Sequence, residues 1–426
     1  MDITKLYKIY RESNGVSTDT RTILPGQIYF ALKGPRFNGN AHASNAIKKG
    51  ASYVVIDESA YHIDQRYILV EDVLSQLQML AVYHRQQFDK PVIGITGSNG
   101  KTTTKELVNA ILSTKYDVNT TKGNLNNHIG VPLTILQGRL QQDAWIVEMG
   151  TNAPGEIEFL SDMVTPDIAL ITNIGAAHLE KLQNLEGVFK EKTSLFDTVD
   201  QAGGTIFINS DDPYLKNYRE VHSTIVRYSI DLCGYGSLLL KESSPYLQLN
   251  LSADKDYHVQ SQLVGSYNRI NVSAAMTIGH HLGISVDQTV NAIMTYSPDN
   301  MRSQMLNTNT NQIVVDSYNA NPSSMKESIN SFVKMNPDNA LLILGDMLEL
   351  GIHSKEYHKE IINLIEGLGV DHILVGPHFQ SLSAKAYQSV DLLKDDIVQQ
   401  NKVIKHKTIL LKASRSIKLE ELLVVL

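Results

Sequence analysis

The stretch Pro91-Val-Ile-Gly-Ile-Thr-Gly-Ser-Asn-Gly-Lys101-Thr-Thr-Thr-Lys-Glu106 restricts the chain to a narrow class of folds. An apolar run with Val92, Ile93 and Ile95 passes through Gly97, Ser98, Asn99, Gly100, Lys101, Thr102 and Thr103 into a helix-compatible stretch, 105–112. The order strand, glycine-rich turn, helix N-terminus gathers backbone N–H groups at one point, where the helix dipole favours an anion. Lys101 adds a positive charge, and the Thr102 hydroxyl is a ligand of the kind Mg²⁺ takes. Binding of a nucleoside triphosphate is therefore expected. The strict loop pattern carries a further glycine where this chain has Ile95, so the form here is the shorter G-x-x-G-K-T.

A chain of 426 residues exceeds one ordinary domain. Three segments separate on pattern, 1–89, 90–297 and 298–426. The first holds short apolar strands at 28–32, 53–56 and 68–70 and a helix at 73–88. In the second, strands at 92–95, 144–149, 168–173 and 205–209 alternate with helices near 104–113, 155–163 and 186–199. That alternation is the signature of an α/β, doubly wound, mostly parallel sheet, whose ligands sit at the carboxyl ends of the strands. Glu148, Asn173 and Asn209 fall at such ends. The third segment repeats the scheme with strands at 313–315, 341–344, 372–375 and 408–411 and helices near 323–334, 354–367 and 415–423. Ser297-Pro298-Asp299-Asn300 reads as the hinge before it.

Charge and cysteine usage exclude several functions. A net charge of −7 without a basic block argues against a nucleic-acid partner. The single cysteine, Cys233, forbids a disulfide within the chain and fits a reducing compartment. Met1-Asp-Ile-Thr-Lys5 has no apolar core of a signal peptide, and no apolar run reaches membrane-spanning length. A cytoplasmic monomer without membrane insertion is the expectation.

Several further residues carry two readings each. Glu148, one strand over from the phosphate loop, is either a Mg²⁺ ligand or a solvated strand-end carboxylate. His178, in the turn Asn173-Ile-Gly-Ala-Ala-His178, is either structural or a partner for a second metal. Asn268 and Asn271 share a helical face, where their amides either read a base edge or act as helix caps. Lys190 and Lys192 read as surface lysines. Arg302, beyond the hinge, is placed to clamp a phosphoryl group. Asp316 to Met325 and Gly345 to Gly351 form polar loops at strand ends, and Asn319 and Asn321 either orient substrate or cap the following helix.

Taken together these motifs resemble the Mur ligase family over essentially the whole chain. The resemblance rests on Gly97-Ser-Asn-Gly-Lys-Thr-Thr103, Glu148-Met-Gly150, Asn173 to His178 and Asn268-Arg-Ile-Asn271, with Gly123 to Pro132, Asp316 to Met325 and Gly345 to Gly351. It implies three domains: an N-terminal UDP-binding domain, a central ATPase domain and a C-terminal Rossmann-like domain. It further implies ATP-dependent ligation of D-alanyl-D-alanine to UDP-MurNAc-tripeptide in peptidoglycan synthesis, through an acyl phosphate. The resemblance assigns ATP to residues 97–103 with Asn268, Asn271, Arg302 and Asp316, and two Mg²⁺ ions to Thr102, Glu148, His178 and a carbamylated Lys192. Lys101, His178, Lys192 and Arg302 take catalytic roles, and Thr20, Arg21, Asn126, Asn127, Asn319 and Asn321 face the substrates. The chain departs from the family pattern at Thr20, at Asn38-Gly39-Asn40 and at Tyr267, where serine, Asp-Gly-His and histidine are common. The relative that adds the third peptide residue, folylpolyglutamate synthase and a non-catalytic nucleotide-binding scaffold are the competing readings.

Overall fold

The computed structural model describes residues 1–218, 222–298, 301–400 and 402–426, so Asp299 and Asn300 of the expected hinge lie outside the described residues. Runs of β-branched and aromatic residues pair into four larger sheets, one for the first segment, two for the middle and one for the last. The first sheet takes Val16–Ser17, Ile28–Phe30, Tyr53–Ile56 and Tyr67–Leu69 in that order, all parallel. The helix Val73–Arg85 then leads into the middle segment. Its buried face shares one apolar core with Trp145, Val147 and Leu160, and Phe88 stacks on Trp145 at 3.9 Å between ring centroids. Arg85 completes that joint by donating to the Val164 and Thr165 carbonyls at 2.7 and 2.8 Å.

The middle sheet has six parallel strands in the order Thr224–Tyr228, Thr205–Asn209, Ile168–Ile171, Val92–Thr96, Ala144–Glu148, Val118–Thr120. Every residue of Val92–Thr96 and Ala144–Glu148 is buried, as expected for strands covered on both faces. The chain runs to one side of Val92–Thr96 and later returns to the other, which puts the phosphate loop at the point where strand order reverses. Helices Lys101–Leu112, Glu156–Val164 and Leu185–Gln201 occupy the expected positions.

Two expectations need correction. Residues 232–264 do not continue the α/β alternation but form a four-stranded antiparallel sheet of Leu232–Cys233, Gly236–Ser243, Tyr246–Ser252 and Asp256–Val264. Its period-two burial, with Leu247, Leu249 and Leu251 inside, belongs to a sheet with one wet face. The expected helix near 415–423 is two short 3₁₀ turns, Arg415–Ile417 and Leu419–Val424, because Lys418 adopts a left-handed backbone at φ 61°. The last sheet runs Gln304–Asn307, Gln312–Val315, Thr408–Lys412, Ala340–Gly345, Asp371–Val375, with only the first pair antiparallel. No helix among the described residues is long and apolar enough to cross a membrane.

Candidate active site between the phosphate loop and the last segment

The carboxyl ends of the middle strands face a cavity of about 750 Å³, closed on its far side by residues of the last segment. The loop on its floor is held by hydrogen bonds between side chains and backbone. Asn99 N–H donates to Asn173 Oδ1 at 2.9 Å, and the Asn173 amide donates back to the Asn99 carbonyl at 3.1 Å. Ser98 exchanges hydrogen bonds with Gly175, donating from Oγ at 3.1 Å and accepting at 2.9 Å. Gly97, at φ 146°, lies so close to the Thr172 side chain that a Cβ there would overlap its hydroxyl. Gly100, at φ 76°, is likewise covered by the Asn271 side chain. Both glycines are thus required by backbone and by packing.

Lys101 donates to the Gly97 carbonyl at 2.6 Å and lines the cavity. Loss of water around it pushes its pKa from 10.5 down to about 8, with Glu148 opposing and Arg302 reinforcing the fall. Thr102 is buried and Thr103 lines the cavity. Glu148 closes its strand 1 % exposed; one carboxylate oxygen accepts from the Asn126 amide at 2.8 Å, and Oε2 is buried without a partner. An orphaned buried carboxylate oxygen beside a phosphate loop suits a hard cation.

His178, held at φ 55°, does not stand free: its Nδ1 lies 2.6 Å from the Glu349 carboxylate of the last segment. His178 lowers the Glu349 carboxyl below its usual range. Lys192 is not a surface lysine: it is 1 % exposed. Burial first, then repulsion from Lys101, drives its pKa well below the lysine range. It sits on the helix Leu185–Gln201 and is not among the residues that line the cavity.

The asparagines divide. Asn268 and Asn271 spend much of their amides on structure: Asn271 donates to Asn268 at 2.9 Å and accepts from Thr104 at 3.2 Å, and Asn268 donates to Ser303 at 3.0 Å. They are not helix caps, and both line the cavity. Asn127 accepts from the Ile129 and Gly130 N–H groups and so starts the helix Gly130–Gln137. Asn321 caps Pro322–Lys334 by accepting from Ser324 at 2.9 Å, and its amide also donates to Asn99 of the phosphate loop at 2.7 Å. The helix-cap reading of Asn321 therefore holds, and its amide in addition joins the last segment to the phosphate loop. Asn319 is exposed, with its side-chain oxygen turned to the Ala320 N–H.

Arg302 lies over the Tyr318 ring at 3.8 Å, and Asp316 is bound by Lys412 at 2.6 Å. Lys412 is a further cavity residue, signalled in the sequence by its place at the end of the apolar run Ile409-Leu-Leu411, and it is 2 % exposed. Thr20 and Arg21 are not brought to this cavity; Arg21 is 86 % exposed at its side chain and pairs with Asp19. Among the described residues, no group of three or more His, Cys, Asp or Glu side chains has metal-holding geometry.

Family models match along most of the chain: a Mur ligase family catalytic domain at 12–88, a Mur ligase middle domain at 95–279 and a Mur ligase, glutamate ligase domain at 301–425. The chain is 34% identical to the UDP-N-acetylmuramoyl-tripeptide–D-alanyl-D-alanine ligase of Bacillus subtilis, over 96% of this chain and 92% of that one. Among solved structures it superposes on MurF from Acinetobacter baumannii with a TM-score of 0.84 and 26% identity, covering 98% and 97% of the two chains. MurF ligase from Thermotoga maritima in complex with ADP gives a TM-score of 0.83 at the same identity and the same coverage. With a relative this similar along nearly its whole length and the family's three domain models in order, the chain belongs to the Mur ligase family.

Proposed function

We propose that the protein joins D-alanyl-D-alanine to UDP-MurNAc-tripeptide at the expense of ATP, giving ADP, phosphate and the pentapeptide precursor of peptidoglycan. The observation that carries the chemistry is the convergence of two cations from separate segments, Lys101 and Arg302, on one cavity floored by the phosphate loop. Their mutual repulsion favours a polyanion between them. The substrate pair comes from the likeness to the Bacillus ligase, which runs through the first and last segments as well as the ATPase core. Folylpolyglutamate synthase and a scaffold without chemistry fit that end-to-end likeness less well.

A carboxylate is a poor electrophile, so the tripeptide carboxylate first attacks the γ-phosphorus of ATP to give an acyl phosphate and ADP. The dipeptide amine then attacks the acyl carbon, and phosphate leaves the tetrahedral intermediate. Lys101 and Arg302 bear the charge growing on the phosphoryl oxygens, and Asn319 is exposed where an incoming dipeptide would meet the cavity. The Asn321–Asn99 and His178–Glu349 contacts hold the last segment against the loop, which keeps water from the acyl phosphate.

Mg²⁺ would be held by Glu148 Oε2 and the Thr102 hydroxyl, where it supplies charge neutralisation at the phosphates. Lys192 fits as the carbamylated residue. Its depressed pKa favours the neutral amine, the form that adds to CO₂ with loss of one proton to become a carboxylate-like anion. The adduct turns repulsion from Lys101 into attraction. Thr20 and Arg21, on the first segment away from the cavity, are assigned to the UDP moiety. The protein works as a cytoplasmic monomer in this reading, in keeping with its free thiol at Cys233. Phosphate release from ATP that requires both substrates, with the pentapeptide detected by mass, is the expected result. ATP turnover indifferent to the dipeptide would refute the assignment.

A further inference from the structure

We propose that Tyr318 is a positioning residue that holds Arg302 by its ring face, so that the guanidinium reaches the phosphoryl group unpaired. The inference rests on the ligase reading above. Arginines near a protein surface ordinarily pair with carboxylates, and Arg302 does not. Its Nε is buried without a partner, and among the described residues no carboxylate forms an ion pair with it. Two nearby carboxylates are engaged by lysine or arginine partners of their own. Asp316 is bound by Lys412 at 2.6 Å, and Glu420 is bound by Arg415 at 2.9 Å. The Arg302 guanidinium lies instead 3.8 Å from the Tyr318 ring centroid, with Arg415 further off at 5.8 Å.

A ring face orients the flat guanidinium through its quadrupole and leaves the N–H donors unspent. A carboxylate in that place would neutralise the charge and consume two of the donors. Tyr318 follows the strand Gln312–Val315 and lines the same cavity as Lys101, so the platform and its cation face the loop that carries the phosphates.

Tyr318→Leu should lower kcat/KM for ATP about 5- to 30-fold, equivalent to about 1–2 kcal/mol, while KM for D-alanyl-D-alanine stays near the wild-type value. Tyr318→Phe keeps the ring face and should restore kcat/KM to within about twofold of wild type. Tyr318→Glu supplies a carboxylate and should be worse than Tyr318→Leu at a similar thermal midpoint. In an Arg302→Met background, Tyr318→Leu should have no further effect, because the two side chains act as one unit. Tyr318→Met serves in place of Tyr318→Leu should the latter fail to fold. Wild-type kinetics for Tyr318→Leu, a Tyr318→Phe as poor as Tyr318→Leu, or an undiminished Tyr318→Leu effect without Arg302 would each overturn the proposal. If wild type forms the pentapeptide while any of these holds, only the role of Tyr318 fails; if wild type forms none, the ligase reading fails.

Discussion

Replacing Lys101 with methionine should abolish ligation and yet leave the protein slightly more stable at neutral pH. The lysine is charged at pH 7 in a place that disfavours the charge: burial and Arg302 bring its pKa from 10.5 to about 8. That gap corresponds to about 3.4 kcal/mol at 1.36 kcal/mol per pH unit. Water in the open cavity screens part of it, leaving about 1–2 kcal/mol. The lost bond to the Gly97 carbonyl, 2.6 Å in the native protein, offsets about 1 kcal/mol more. A net gain of up to about 1 kcal/mol is expected, or roughly 2–4 °C in the melting midpoint.

The pH dependence fixes the sign. Between about 8 and 10.5 the unfolded chain holds a proton at Lys101 that the folded chain has released, so wild-type stability rises with pH across that window. The burden of the charge is fully present below about 8 and gone above 10.5. The gap between Lys101→Met and wild type should therefore close as pH rises from 8 to 10. Urea denaturation followed by fluorescence of Trp145, the single tryptophan, measures this directly. A methionine variant less stable than wild type at pH 7, or a gap that widens with pH, would refute the reasoning. The same titration lowers kcat/KM for ATP in the wild type as pH rises through about 8, because only the charged lysine attracts the polyphosphate.

Lys192→Ala should be nearly inactive and should not respond to added bicarbonate, since it lacks the amine that CO₂ modifies; retained activity would return Lys192 to a packing role. Asn321→Ala removes both a helix cap and the bridge to Asn99, and should lose about 1 kcal/mol of stability along with activity. Asn319→Ala should keep its stability to within about 0.5 kcal/mol and raise KM for D-alanyl-D-alanine, which steady-state kinetics and thermal melting separate. Phe88→Ala strips the ring stacked on Trp145 and should destabilise the joint between the first two segments by about 3–5 kcal/mol, with a shift in Trp145 emission.

The local pattern of the sequence carried the elements that depend on neighbours in the chain. Val92–Thr96 into Lys101–Leu112 was legible because apolar periodicity, turn glycines and a helix start all act over a few residues. The same local logic put Glu148, Asn173 and Asn209 at strand ends, where they line the cavity. The antiparallel sheet at 232–264 escaped notice, although the alternation was present in Tyr246–Ser252, because the surrounding α/β rhythm invited a different period. What side chains do across segments was decided only by the tertiary structure. Lys192 reads as exposed in the sequence, but the fold buries it and pushes its pKa down. His178 meets Glu349, Asn321 meets Asn99 and Lys412 meets Asp316 at sequence separations that no helical or strand period encodes. Local propensity determines which segments become strands and helices, whereas the charge state and partners of a buried group depend on which distant surfaces close over it.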